Sequence, residues 1–538
     1  MRSRGGSMVR NLGISSALRV VPRLGGTDST LRRFLPYLAV SGFVLLAWAA
    51  YGRAYPAPIF PVDDAYIVLH NAGALLSGCD RNYSGSSPLT GATSLIHLAL
   101  VSLLMRGLGP LAALSTVAWL SALFYAAGLV RLARVNGLSR LQALLVAAAG
   151  LAAGETPHQL LNGLETGLML ATLTWALVLL SDPRGRPSLA LPALCGMLPF
   201  IRPDLTPLAF LFLSLQIARR WRDRRDIAAF RRGAGADMVI ALACALPWAL
   251  WYQAEVGSAL PTTVAAKRYF FAEAGGEPTF KFAVVMRGFS FFGVEVGLLT
   301  CFAGFLGGTW LGRIGLAFAA LLAGAYFLQF PGALMQYEGR YLYPLLPFIL
   351  LGAVHAMRPA QPHRRAATAA LALALWQSVL VAPTFWAQHR SGCDNTARNL
   401  DGVADWCVHH LSAHSTLMVH DAGYISWGTG FRIVDLVGLK TPSSISYHQH
   451  LTYPSNGARR GEAVSLIALR QHPDYLIVLD GWEGIYHIAA GLRAQGWGVH
   501  LVNADYSYKV YALSPPPSPP QGPRYISERV PLRRSRRG

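Results

Sequence analysis

FLPYLAVSGFVLLAWAAYG (34–52) runs for nineteen residues without a charge, directly behind Arg32 and Arg33. About 20 apolar residues span the hydrocarbon core of a bilayer, and flanking basic residues mark the cytoplasmic end of a span. The stretch therefore predicts a first membrane helix with its N-terminus inside. The leader before it, residues 1–33, has seven arginines and no long apolar core, so it does not read as a secretory signal peptide. Similar apolar stretches recur at about 110–131, 141–153, 166–180, 188–200, 204–217, 237–253, 284–307, 314–330, 342–357 and 366–384. Residues 92–105 are apolar but short, and fit a helix lying on the outer surface.

Composition points the same way. The 538 residues are 53% hydrophobic and only 14% charged, against roughly 25% charged in soluble domains. The net charge of +20 comes from 47 basic and 27 acidic residues. With 92–105 outside the count of spans, the loops 131–140, 181–187, 218–236, 308–313 and 358–365 all fall on one side, and they hold most of the loop arginines, including seven from Arg219 to Arg232. The positive-inside rule makes that side cytoplasmic. The expectation is a polytopic α-helical membrane protein of about eleven spans, in a bacterial inner membrane, its N-terminus cytoplasmic. The arginine run reads as an anchor to anionic lipid; it lacks the interleaved aromatics of a nucleic-acid surface.

After residue 384 hydrophobic runs shorten. Residues 415–421, 431–438, 474–480, 497–503 and 508–514 read as strands, and 461–471 and 483–495 as helices. This predicts an extracytoplasmic α/β domain at 385–514, behind a membrane domain at 34–384 whose first outer loop is 53–109. Residues 515–538 form a proline-rich linker and basic tail. Cys393 and Cys407, 14 positions apart, would share an oxidising space that permits a disulfide.

The predicted topology gathers ionisable groups on the outer side. Asp63 and Asp64 open an amphipathic stretch, FPVDDAYIVLHNAGALLSG (60–78), that also carries His70. Acidic residues at a helix start serve as caps and complement its dipole. Here they have company: Glu155, His158 and Glu165 in one segment, Arg202 and Asp204 in another, then Lys267 and Arg268, then Glu338 and Arg340. Charges at membrane-helix ends usually face a cavity or one another. Carboxylates can take a proton from an acceptor hydroxyl, and Arg and Lys can hold a phosphate and stabilise its departure. The chemistry suggested is group transfer from a lipid phosphate to a hydroxyl. A transporter or flippase of a glycolipid or anionic solute is the alternative; such proteins often carry inverted repeats, which are not evident here.

The residues also resemble a known family. Asp63-Asp64-Ala65-Tyr66-Ile67 is similar to the acidic motif of polytopic GT-C glycosyltransferases, in the form found in arabinofuranosyltransferase-like members of the mycobacterial terminal type. Further matches follow in order: GATSLIHLAL (91–100), Asn162–Thr166 against a GLET turn, Arg202-Pro203-Asp204, Leu260–Thr263 with Lys267, Gly339–Leu342 with Pro344 and Pro347, and the pair Asp421–Gly423 and Asp435–Leu439. Ala92, His97 and Thr262 depart from the family's usual Tyr, Trp and Asn, which leaves the sugar open. The resemblance implies inverting transfer from a polyprenyl-phosphate sugar, arabinofuranose being one candidate, to a glycan, glycolipid or glycoprotein acceptor. It implies Asp63 as first choice of catalytic base, with Asp64 sharing or replacing it, or helping to bind a divalent ion (Mg, Mn or Ca) that some members need. Lys267, Arg202 and Arg340 become candidates for the lipid phosphate. Glu165, Glu338, His70 and Asp421 become candidates for the sugar or acceptor site, with Glu165 and Glu338 as alternative partners for the arginines.

Overall fold

The computed structural model describes residues 27–55, 59–182, 188–222, 226–258, 260–272 and 275–517. The leader up to residue 26, Arg184 and Arg186, part of the arginine run, and the tail from residue 518 lie outside the described residues.

Among the described residues, six helices are long and apolar enough to cross a membrane: Phe34–Ala54, Pro110–Val135, Ile227–Val256, Pro278–Gly308, Trp310–Gln329 and Arg364–His410. The first begins further back, at Thr27. The other predicted spans are helices of 11 to 17 residues: Arg140–Ala152, Thr166–Leu180, Ala190–Ile201, Thr206–Arg222 and Leu346–Ala356. Leu95–Leu104 is a further short helix, started by the Ser94 side chain accepting from the His97 N–H. Pro110–Val135 and Thr166–Leu180 form the buried centre of the bundle. Their approach is close because Gly128 faces Thr174, where a Cβ would come within 3.0 Å of its methyl group. Long helices such as Ile227–Val256 leave Leu and Val side chains exposed along their length, as helices facing lipid do.

Among the described residues, the C-terminal domain (the outer domain, after its expected side) holds a five-stranded sheet in the order β2-β1-β3-β5-β4. The strands are β1 (Thr416–Val419), β2 (Arg432–Asp435), β3 (Tyr475–Leu479), β4 (Gly498–Asn503) and β5 (Tyr508–Ser514). β1 pairs in parallel with β2 and β3, while β5 runs antiparallel to β3 and β4. All five coincide with the predicted segments. The predicted helix 483–495 is instead two, Asp480–Tyr486 and Ile488–Ala494, broken at His487, whose φ is 52°.

The expected domain boundary at 384/385 falls inside a helix. Arg364–Asn395 continues through Thr396–Leu400 into Asp401–His410, so one helical run joins the helical bundle to the C-terminal domain. This also decides the cysteines. Fourteen residues of helix rise about 21 Å at 1.5 Å each, far beyond the roughly 6 Å between the Cα atoms of a disulfide. Cys393 and Cys407 are both free and buried; the Cys393 thiol points to the Ile59 carbonyl at 3.4 Å.

Candidate active site

The site lies where the loop that follows the first helix meets the C-terminal domain. Pro61 and the extended Val62 lead into the helix Asp63–Ser77, so both acidic residues stand in its first turn. Neighbouring helical residues point about 100° apart, and the two carboxylates diverge. Asp63 accepts hydrogen bonds from the backbone N–H groups of Gly423 at 2.8 Å and Tyr424 at 2.7 Å. It thereby caps the short helix Tyr424–Gly428. A glycine is required at 423: a Cβ there would lie 2.1 Å from the Asp63 carbonyl oxygen. Burial and the nearby Asp421 push the Asp63 carboxyl well above the usual carboxylate range, against the pull of those two N–H bonds.

Asp64 turns toward cations. Its Oδ2 is 3.6 Å from Lys267 Nζ and 3.8 Å from Arg340 Nη1. Burial opposes the charge on Lys267, but Tyr341 and Asp64 outweigh it and hold the ammonium above its ordinary pKa. Ion pairs continue inward from Arg340. Its Nη2 is 3.3 Å from Glu165 Oε1, and the same oxygen is 3.8 Å from Arg202 Nε. Arg202 bonds Asp204 with Nε at 3.1 Å and Nη2 at 2.5 Å, and donates Nη1 to the Arg340 carbonyl at 3.2 Å. Arg202 is thus engaged on all sides. Arg340 is not: its Nε and Nη1 are buried without a hydrogen-bond acceptor among the described residues. The rings of Tyr337 and Tyr341 flank its guanidinium, at 5.3 and 5.0 Å.

Two hollows meet at Asp64 and Lys267. A narrow one of about 50 Å³ is lined by Asp64, Glu165, Lys267 and Arg340, with Thr93 and Thr263. A wider one of about 410 Å³ opens toward the outer domain and is lined by Asp63, Asp64, Lys267, Glu338, Asp421 and Trp482, among others. In its wall Glu338 accepts from Gln388 Nε2 at 2.6 Å and lies 3.7 Å from His158 Nε2. It therefore faces away from its chain neighbour Arg340, because Tyr337, Glu338 and Gly339 take φ of 49°, 52° and 62° in succession. Asp421 accepts the Tyr508 hydroxyl at 2.5 Å and lies 3.2 Å from His420 Nε2. Burial would raise its pKa, yet His420 and Tyr508 outweigh burial and hold it low.

Eight of the nine residues singled out from sequence therefore meet around these hollows or the ion pairs behind them. His70 does not. Its ring lies 3.2 Å from Asn82 Oδ1 and 3.5 Å from Asp80, on a separate hollow beside Trp427. Among the described residues no group of three or more His, Cys, Asp or Glu has the arrangement of a metal site, and Asp64, the expected ligand, is faced by two cations. Sequence reading missed Lys440, fully buried, which donates to Asn71 Oδ1 at 2.6 Å and Asp80 Oδ2 at 2.8 Å. Its only signal is its position directly after the Asp435–Leu439 turn. Asp435 closes that turn, accepting from the Val437 and Lys440 N–H groups.

A family model described as a domain of unknown function (DUF8728) matches residues 388–511. No curated protein matches the sequence. Among solved structures, ArnT from Cupriavidus metallidurans bound to undecaprenyl phosphate aligns over 90% of this chain and 98% of its own, at 13% identity and TM-score 0.48. The mycobacterial arabinofuranosyltransferase AftD aligns over 90% of this chain and 41% of its own, at 16% identity and TM-score 0.47. The Archaeoglobus fulgidus oligosaccharyltransferase in its apo form aligns over 92% and 76%, at 12% identity and TM-score 0.45. At 12–16% identity, none of these similarities transfers a residue role to this chain.

Proposed function

We propose that the protein is a membrane glycosyltransferase that moves a sugar from a polyprenyl-phosphate donor to a hydroxyl of a cell-envelope glycan, lipid or protein on the outer face of the membrane, with inversion. The observation that carries this reading is the carboxylate of Asp64 set beside Lys267 and Arg340, whose buried Nε and Nη1 have no hydrogen-bond acceptor among the described residues, where a narrow hollow opens into a wide one. Buried guanidinium donors without acceptors are costly, and a phosphate is the natural acceptor for them. The lipid phosphate binds at Lys267 and Arg340. The acceptor enters from the wide hollow and gives its hydroxyl proton to Asp64 as its oxygen attacks the anomeric carbon. The bond from that carbon to the phosphate oxygen breaks, and the electron pair leaves with the polyprenyl phosphate, whose charge the two cations offset. One displacement inverts the anomeric centre.

The geometry favours Asp64 over Asp63 as base. Both Asp63 oxygens already accept backbone N–H groups, and its carboxyl ties the outer domain to the loop. Arabinofuranose is supported by the motif of the first loop, and the donor and acceptor identities remain part of the proposal. The test is transfer in nanodiscs from polyprenyl-phosphate arabinofuranose to a short arabinan. Asp64→Asn should lower transfer about 10²–10⁴-fold, the usual contribution of a general base, with undecaprenyl phosphate still bound. Asp63→Asn should cost less. Near-parental transfer by Asp64→Asn removes it as base; lipid translocation without glycosyl product supports a flippase instead.

A further inference from the structure

Tyr337, Glu338 and Gly339 form three consecutive residues in the left-handed region. Two of them are not glycine, and such a conformation persists only where its surroundings hold it. The turn has two faces: it presents Arg340 to Asp64 and Glu165, and Glu338 to the wide hollow. The turn closes locally with the Arg340 N–H donating to the Tyr337 carbonyl at 3.3 Å, and a distant segment adds a second hold. Gln159, with no exposed surface, donates its amide to both the Tyr337 carbonyl at 2.8 Å and the Glu338 carbonyl at 3.2 Å. Its Oε1 accepts from Asn162 Nδ2 at 3.3 Å, and Asn162 Oδ1 accepts the Leu164 N–H at 3.0 Å. Asn162 shapes the turn that delivers Glu165, and Gly163 within it stands at φ 81°. One amide chain therefore spans the two turns that bear the Glu165–Arg340 pair.

We propose that Gln159 is a positioning residue: through the Tyr337 and Glu338 carbonyls it locks the left-handed turn that aims Arg340 at the donor phosphate. The proposal rests on the glycosyltransferase reading for what Arg340 binds, but the lock itself does not depend on it. An amide suits the task because the two carbonyls need donors while Asn162 needs an acceptor. A carboxylate cannot donate, and an apolar side chain of similar length satisfies neither partner.

The test uses the full chain in nanodiscs with two readouts. Gln159→Met should speed hydrogen exchange at least tenfold in peptides covering 336–343, with the overall thermal transition kept. It should also weaken binding of undecaprenyl phosphate about tenfold. Adding Glu338→Asn, whose side chain tolerates the left-handed region better, should slow that exchange again and restore at least a third of the binding. Glu338→Asn alone should slow exchange there relative to the parent, which keeps the proposal testable if Gln159→Met does not fold. Unchanged exchange at 336–343 in Gln159→Met, or no slowing by Glu338→Asn in either background, overturns the lock. Faster exchange in a protein whose parent form binds no undecaprenyl phosphate upholds the lock and removes the donor reading.

Discussion

Lys440 illustrates how a single residue can join two parts of the chain. Its ammonium and the Asp80 carboxylate have no exposed side-chain surface, and they meet at 2.8 Å across 360 positions of sequence. Burial lowers the pKa of Lys440, and Asp80 offsets part of that shift. Removing one member of a buried pair leaves the other charge uncompensated, at a cost of about 3–5 kcal/mol. Lys440→Met should therefore destabilise the protein by roughly 3 kcal/mol, while Asp80→Asn added to it should cost little more or recover part of the loss. Equilibrium unfolding of the four proteins in detergent measures this; strictly additive losses would show that the pair is not coupled. None of it is legible from the sequence, where Lys440 is a lone lysine after an apolar turn and Asp80 lies in a polar loop. The same limit applies to Asp63 and Asp64. The sequence identifies them as an acidic pair in a first outer loop, but only the fold separates one as a cap on Tyr424 from the other as a neighbour of Lys267.

At the scale of elements, periodicity was informative wherever a segment's own burial pattern decided its structure. β1 and β3 are short apolar runs enclosed on both sides, and alternation with helices indicated an α/β domain, whose parallel pairing of β1 with β2 and β3 the fold supplies. The segment Ser443–Thr452 was not evident, because its helical turns depend on partners elsewhere. There His448 is fully buried; its Nε2 faces the Leu436 carbonyl at 2.7 Å and its Nδ1 the Thr452 hydroxyl at 2.8 Å. The carbonyl accepts only, so Nε2 bears a proton, and the Thr452 hydroxyl can donate to a neutral Nδ1. Burial lowers its pKa to about 4, the Leu436 bond notwithstanding. A depressed folded-state value means that the unfolded chain binds the extra proton first. The stabilising contribution is full above about pH 6.5 and declines as pH falls toward 4. At pH 5 the loss should be on the order of 2 kcal/mol at 1.36 kcal/mol per unit. Unfolding of the parent should thus weaken between pH 7.5 and 5 more steeply than that of His448→Gln, whose amide can still donate to Leu436. Identical pH slopes in the two proteins would count against a neutral buried imidazole.

For the whole molecule, the described arginine contacts and the candidate site lie at two ends of the same helices. Arg134 donates to the Leu138 carbonyl, Arg358 to Asn136, Arg219 to the Leu180 carbonyl, and Arg220 pairs with Asp237. These contacts join the loops near 136–140 and 358–364, and those near 180 and 219–237. Following each helix away from them leads to the site: Arg140–Ala152 toward Glu155, Thr166–Leu180 back to Glu165, Ala190–Ile201 to Arg202, and Leu346–Ala356 back to Arg340. The arginine-rich end and the acid-and-base end are therefore opposite ends of one bundle, and the positive-inside rule predicts that the first faces the cytoplasm. Cys79 in the first outer loop is exposed, and Gln361 is exposed at the arginine end. In right-side-out vesicles a membrane-impermeant maleimide should label Cys79, and Cys79→Ser should remove that label. Adding Gln361→Cys to Cys79→Ser should restore labelling only after permeabilisation. Labelling of Gln361→Cys in sealed vesicles, with Cys79 protected, would turn the molecule over and put the Asp64 hollow on the cytoplasmic side, where a soluble nucleotide-linked donor would become as accessible to it as a lipid-linked one.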